Sequence, residues 1–177
     1  MRIFNLLVST IRRREDECCS ELWAFLREFG DEDAEIRPAG PPGLVTVKTS
    51  LDPFLVVRKF REILDERPWE LRYTLKVVPI DLCVETDQDK IKEAVSKLTS
   101  KIDRNETFRI TVNKRISDID TMSLIRYVAE VVDRKVDLKN PDKIVQIEII
   151  GSTTGVSVLK PSDILSIQKA KEETRAY

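Results

Sequence analysis

The chain has 177 residues, of which 41% are hydrophobic and 34% charged, with a formal net charge of −1; this is the make-up of a soluble globular protein of one large domain or two small ones. It has no histidine, no apolar run long enough to span a membrane and no Gly-rich phosphate loop among its five glycines, which excludes imidazole catalysis, His-ligated zinc and nucleotide-loop chemistry. Residues 1–90 hold 14 Lys and Arg against 18 Asp and Glu, and residues 91–177 hold 16 against 13, so the second half suits either a phosphate partner or a solvated basic surface.

The chain opens with a compact apolar strand, Ile3–Ser9, which runs straight into Arg12-Arg13-Arg14 and lacks a small-residue cleavage site, so a cytoplasmic location is expected rather than secretion. The three arginines are a solvated turn or a phosphate contact. Glu15–Phe29 shows helical spacing through Cys18, Leu22, Phe25, Leu26 and Phe29 and stops at Gly30. The acidic positions Glu15, Asp16, Glu17, Glu21 and Glu28, followed by Asp31, Glu32, Asp33 and Glu35, form either a solvated face or a surface for a basic partner. Extended segments Glu35–Arg37 and Leu44–Lys48 flank a Pro/Gly turn over residues 38–43. Asp52 can cap a second helix, with Pro53 in its first turn and Val56, Phe60, Ile63 and Leu64 as its stripe, before a strand over Leu71–Val78. The resulting β-α-β-β-α-β order is that of the ferredoxin-like fold.

Pro79-Ile80-Asp81 interrupts that last strand, Leu82–Glu85 continues extended, and the expected domains are residues 1–85 and 86–177. Thr86 or Asp87 caps a helix carrying Ile91, Ala94, Val95 and Leu98. Strand 107–113, helix 121–132 and strand 143–150 follow, then a tight connection over residues 151–155, a strand over 156–159 and a short helix with a polar tail from Pro161. The cysteines Cys18, Cys19 and Cys83 lack zinc or redox spacing and read as buried thiols or an exposed redox pair.

In strand 107–113, Phe108, Ile110 and Val112 alternate with Arg109, Thr111 and Asn113, which gives one apolar and one polar face. Lys114 and Arg115 at its end are solvated loop cations or meet phosphate together with backbone N–H groups. Asp118 and Asp120 suit capping of the next helix. Lys139-Asn140-Pro141 makes a rigid turn that Asn140 can close through its amide; the turn either sets the start of the next strand or presents Lys139 to phosphate. Lys101, Arg104, Arg109 and Lys160 complete a basic surface. The only aromatic residues of this half are Phe108, Tyr127 and Tyr177, so phosphate contacts rather than base stacking are expected.

The stretch Val136–Asp142 leading into strand Lys143–Ile150, after the basic strand Phe108–Arg115, resembles the core of a THUMP domain, the RNA-binding module of tRNA-modifying and tRNA-thiolating proteins. The junction Val77-Val78-Pro79-Ile80 resembles the one that joins it to a ferredoxin-like domain. The resemblance covers essentially the whole chain and implies an α+β, partly α/β, architecture: an N-terminal ferredoxin-like domain packed on a C-terminal THUMP domain with a mixed sheet. It implies recognition of the tRNA acceptor stem and 3′ end, with Lys101, Arg104, Arg109, Asn113, Lys114, Arg115, Lys139, Asn140 and Lys160 as RNA contacts. No catalytic residue, metal or cofactor is expected. THUMP proteins of this form resemble the partner that presents tRNA to a separate RNA cytidine acetyltransferase, which carries acetyl-CoA and ATP and modifies a D-arm cytidine, characteristically of serine and leucine tRNAs. The alternatives are the RNA-binding part of a methyltransferase, thiolation or deaminase enzyme, whose catalytic domain residues 160–177 do not encode, and a simple RNA-binding protein.

Overall fold

The structure is a computed structural model that describes residues 2–175. It divides into two compact units, one formed by residues 4–79 and 162–175, the other by residues 2–3 and 80–161.

In the first unit, β1 (Leu6–Ser9) is followed by α1 (Glu15–Glu28), β2 (Glu35–Pro38), β3 (Leu44–Lys48), α2 (Pro53–Glu66) and β4 (Lys76–Pro79). The strands lie in the antiparallel order β4-β1-β3-β2, with Leu7 opposite Thr46 on one side and Val78 on the other. This is the expected ferredoxin-like arrangement. Leu6, Val8, Val45, Val47 and Val77 alternate onto one sheet face and are buried against Leu22 and Leu26 of α1 and Val56 and Phe60 of α2. Asp52 caps α2 by accepting the Phe54 N–H at 2.9 Å, and the acidic first turn of α1, Glu15 to Glu17, complements its helix dipole. The loop between β2 and β3 requires Gly43: its φ is +74°, and a Cβ there would meet the Thr10 carbonyl oxygen at 2.9 Å.

Two strand expectations shorten for local reasons. Ile3 is 56% exposed and outside β1. The strand expected from Leu71 begins only at Lys76, because the Glu21 carboxylate accepts the backbone N–H groups of Arg72 at 2.8 Å, Tyr73 at 3.1 Å and Thr74 at 2.8 Å. Donors spent on a side chain cannot join a ladder.

The second unit holds β5 (Leu82–Glu85), α3 (Gln88–Leu98), β6 (Thr107–Arg115), α4 (Thr121–Ala129), β7 (Lys135–Val136), β8 (Lys143–Ile150) and β9 (Thr153–Leu159). Its sheet runs β5-β9-β8-β6-β7; β9 is antiparallel to both β5 and β8, whereas β6 is parallel to both β8 and β7, so the sheet is mixed. Val145, Ile147, Ile149, Val156 and Val158 form its apolar face, buried with Ile91, Ala94 and Val95 of α3 and Leu124 and Val128 of α4. Asp87 and Asp120 are the helix N-caps, accepting from the N–H of Lys90 at 3.0 Å and of Ser123 at 2.9 Å. The hydrogen bonds from Ser123 hold the Asp120 carboxyl below its ordinary range. Asp120 therefore caps, as the sequence suggested.

Two segments fall on the other side of the division expected at residue 85. Leu82–Glu85 pairs with β9 in the second sheet. The end of the chain returns to the first: β10 (Leu165–Ser166) adds to the outer edge of β4, and α5 (Ile167–Arg175) follows. The cause is apolar burial, since Leu165 and Ile167 sit in the first core, each 1% exposed. Among the described residues no helix is long and apolar enough to cross a membrane. Cys18 is buried in the first core, which pushes its thiol up to about 12; Cys19 and Cys83 are half-buried.

Candidate nucleic-acid interface

Strand register divides the nine residues nominated from the sequence between the two ends of the second sheet. Phe108 pairs with Lys143 and Arg115 with Ile150, so Arg115 lies seven residues along a parallel strand, about 23 Å from the start of the ladder at 3.3 Å per residue. Lys101, Arg104, Arg109, Lys139, Asn140 and Lys160 belong to the end where β6 and β8 begin and β9 finishes. Asn113, Lys114 and Arg115 belong to the opposite end. They do not form one patch with the others.

Asn113 and Arg115 are turned inward. The Glu148 side chain, 2% exposed, accepts from Asn113 Nδ2 at 2.9 Å and Gln146 Nε2 at 2.7 Å through one oxygen, and from Arg115 at 2.5 Å through the other. A buried carboxylate requires such partners, and these side chains supply them. Lys114 is exposed, but its ammonium donates to the Ile119 carbonyl at 2.8 Å and so fixes the turn that leads to α4.

At the other end, a loop over residues 137–142 is fastened to β6 at both extremities. The Asp137 N–H donates to the Phe108 carbonyl at 3.0 Å, and the Asp142 carboxylate accepts the Thr107 N–H at 2.8 Å and hydroxyl at 3.2 Å. The Asp137 carboxylate closes the turn, accepting the N–H groups of Lys139 at 3.1 Å and Asn140 at 3.0 Å. Asp137, not the Asn140 amide, does this, because its position two residues before Lys139 suits an Asx turn. Pro141 is buried, whereas the side chains of Lys139 and Asn140 point to solvent. Arg109 reaches the loop and donates to the Leu138 carbonyl at 3.1 Å.

Cations beside this loop differ in what they can offer. Lys101 pairs with Asp81 at 2.9 Å, and Lys143 donates to the Lys101 carbonyl at 2.7 Å and to Glu106 at 2.8 Å. The hydrogen bond from Lys143, then that from the Asp103 N–H, with Lys160 adding, hold the Glu106 carboxyl below its ordinary range. Arg134 secures the carbonyls of Ile102 and Asp103. Arg104, Lys135, Lys139 and Lys160 are exposed, as are the apolar Val136 and Leu138, 54% and 69%. Lys135 is the addition the structure makes: its place on β7 beside Thr107 follows from a two-residue strand with no periodicity of its own. The end as a whole presents Lys139 on a fastened loop with Arg104, Lys135 and Lys160 outside it at the same end of the sheet, while the carboxylates of Asp137 and Asp142 accept hydrogen bonds. Such an arrangement can follow a phosphate backbone.

Arg12, Arg13 and Arg14 lie exposed on the turn after β1, in the first unit, where Arg13 takes a left-handed φ of 70° and Arg14 pairs with Glu17 at 3.1 Å. Among the described residues no group of three His, Cys, Asp or Glu side chains is placed to hold a metal ion.

Residues 85–159 match the model of the THUMP domain. An uncharacterised protein of Methanocaldococcus jannaschii is 26% identical over 157 residues, which cover 85% of this chain and 40% of that protein, so the chain spans less than half of that relative. Solved structures that share the fold include three of note. A protein of Pyrococcus horikoshii matches with a TM-score of 0.61 at 17% identity, over 89% of this chain and 55% of its own. TrmN from Thermus thermophilus gives 0.57 at 18%, over 88% and 45%, and a 4-thiouridine synthetase solved with RNA and ATP gives 0.51 at 12%, over 89% and 42%.

Proposed function

The chain carries a THUMP domain, an RNA-binding module, at residues 85–159, and we propose that it binds the acceptor end of tRNA and presents it to a separate RNA cytidine acetyltransferase. The observation that carries this reading is the exposure of Arg104, Lys135, Lys139 and Lys160 at one end of the THUMP sheet, around a loop fastened at both extremities. Cations on a fixed support bind phosphates in a set spacing, and Asn140 adds a neutral donor and acceptor. The adaptor would contribute position rather than chemistry: holding one end of the tRNA raises the effective concentration of the target cytidine at the enzyme. The assignment of the partner rests on the resemblance in sequence to adaptors of that kind.

A second reading makes the chain the RNA-binding part of a longer RNA-modifying enzyme. It is supported by the fold shared with a 4-thiouridine synthetase solved with RNA, of which this chain spans 42%. Acetylation of tRNA by the purified acetyltransferase, with acetyl-CoA and ATP, separates the two: it should depend on adding this protein, and equal acetylation without it would sink the adaptor reading. The RNA surface is tested independently by anisotropy with labelled tRNA across a salt series. The triple variant Arg104→Ala, Lys135→Ala, Lys139→Ala should lower the slope of log affinity against log salt by roughly 0.7 to 0.9 for each phosphate no longer neutralised. An unchanged slope would remove this end of the sheet from the interface.

A further inference from the structure

The first unit carries a surface that the RNA reading does not use. Along α1, Glu17, Ser20, Ala24 and Glu28 recur at helical spacing on one outward face, with two small residues in the middle and a carboxylate at each end. Ser20 and Ala24, both exposed, form a low ridge between two grooves of about 630 and 580 Å³. The larger groove has Phe25 and Tyr73 in its lining and is ringed by the four carboxylates of Glu17, Glu21, Glu28 and Glu70 against two guanidiniums, that of Arg67 in the lining and that of Arg14, which pairs with Glu17 at 3.1 Å. Arg67 is held between Glu28 and Glu70 at 3.0 Å each, so acidic charge remains in excess at the rim. The smaller groove is lined by Ile36 and by Trp23, which is 49% exposed with the Arg27 guanidinium 5.1 Å from its ring centre.

We propose that this face docks a basic amphipathic helix of a partner protein, with apolar side chains lying in the two grooves across the Ser20–Ala24 ridge and Lys or Arg side chains meeting Glu17, Glu28 and Glu70. The inference deepens the adaptor reading, which requires a protein partner. The chemistry selects this occupant over two others. Phosphate is repelled by the carboxylate rim, which disfavours RNA. A second copy related by two-fold symmetry would set the acidic rims against each other. Small residues on a helix ridge let a partner backbone approach closely, and a half-exposed Trp beside such a ridge is the side-chain type that most often anchors an interface.

The chain has two tryptophans, so in the full chain carrying Trp69→Phe the emission of Trp23 reports this face alone. The probes are a helical peptide with leucines on one face flanked by lysines, and its counterpart with glutamates in place of the lysines. The lysine peptide should shift Trp23 emission saturably and the glutamate peptide should not. The double variant Glu17→Lys, Glu28→Lys and, separately, the bulky but non-tryptophan replacement Ala24→Phe should each weaken the lysine peptide by about tenfold or more, with tRNA affinity unchanged in both. Ala24 is exposed, so its replacement tests the grooves without touching the core. No saturable shift, equal binding of both peptides, loss of tRNA binding in the charge-reversed variant, or a dimer that Ala24→Phe dissociates would each overturn the proposal. Peptide binding by a chain that binds no tRNA would instead overturn the RNA reading and leave this face standing.

Discussion

Glu148 shows how one buried carboxylate reassigns two residues that look functional. Its side chain is 2% exposed and its two oxygens are covered by Asn113, Gln146 and Arg115. Removing Arg115 leaves the buried Glu148 with the neutral donors Asn113 and Gln146 alone, which costs about 2–3 kcal/mol, less than the roughly 3–5 kcal/mol of a fully buried pair because the Arg115 side chain is 28% exposed, whereas truncating an exposed lysine such as Lys139 costs roughly 0.5 kcal/mol or less. Arg115→Ala should accordingly lower the urea midpoint sharply, and Lys139→Ala should leave it in place. If Arg115→Ala kept the midpoint and flattened the salt dependence of tRNA binding instead, Arg115 would belong to the RNA surface. Alternation over 107–113 correctly puts Asn113 on the polar face, and the strand runs on to Arg115, expected at its end, but a polar face reads as exposed only while its neighbours are unknown. Their neighbour is Glu148, set opposite Asn113 by a parallel pairing that local sequence does not encode.

Elements with a strong period were legible, and those defined by a partner were not. The spacing of α1, α2 and α3 and the alternation of β6 and β8 follow from one segment at a time, and the structure shows them within a few residues of expectation. β7 and β10 have two residues each and exist only because β6 and β4 offer an open edge. The 137–142 loop lies between these cases, since Asn140-Pro141 announces a turn but its closure by Asp137 depends on geometry. That closure is the means by which Lys139 is held, so Asp137→Ala should free the loop to move. The expected outcome is weaker tRNA binding by about threefold to tenfold, from the added cost of ordering the loop, at an unchanged melting temperature. Faster amide exchange at Lys139 and Asn140 would accompany it, and wild-type affinity with mobile amides would show that the loop takes no part in binding.

At the scale of the whole chain, the first sheet is completed by residues more than 80 positions beyond β4. Leu165 pairs with Val77 and Ser166 with Lys76, the Ile167 N–H donates to the Leu75 carbonyl at 2.8 Å, and Lys171 donates to the Leu71 carbonyl at 2.6 Å. Burying Leu165 and Ile167 contributes roughly 1.5–3 kcal/mol each and the hydrogen bonds roughly 1 kcal/mol each. The sum is a large share of the 5–15 kcal/mol that separates a typical domain from its unfolded state. A chain cut after Pro161 keeps every strand of the second sheet and loses the outer strand of the first. Hydrogen exchange on that truncated chain should show β1, β3 and β4 exchanging far faster than in the full chain while β6 and β8 stay protected, because each sheet has its own core. Equal protection of β1 in both chains would mean that β10 and α5 decorate the first domain rather than hold it. Loss of protection in both sheets at once would mean that the two units do not fold independently.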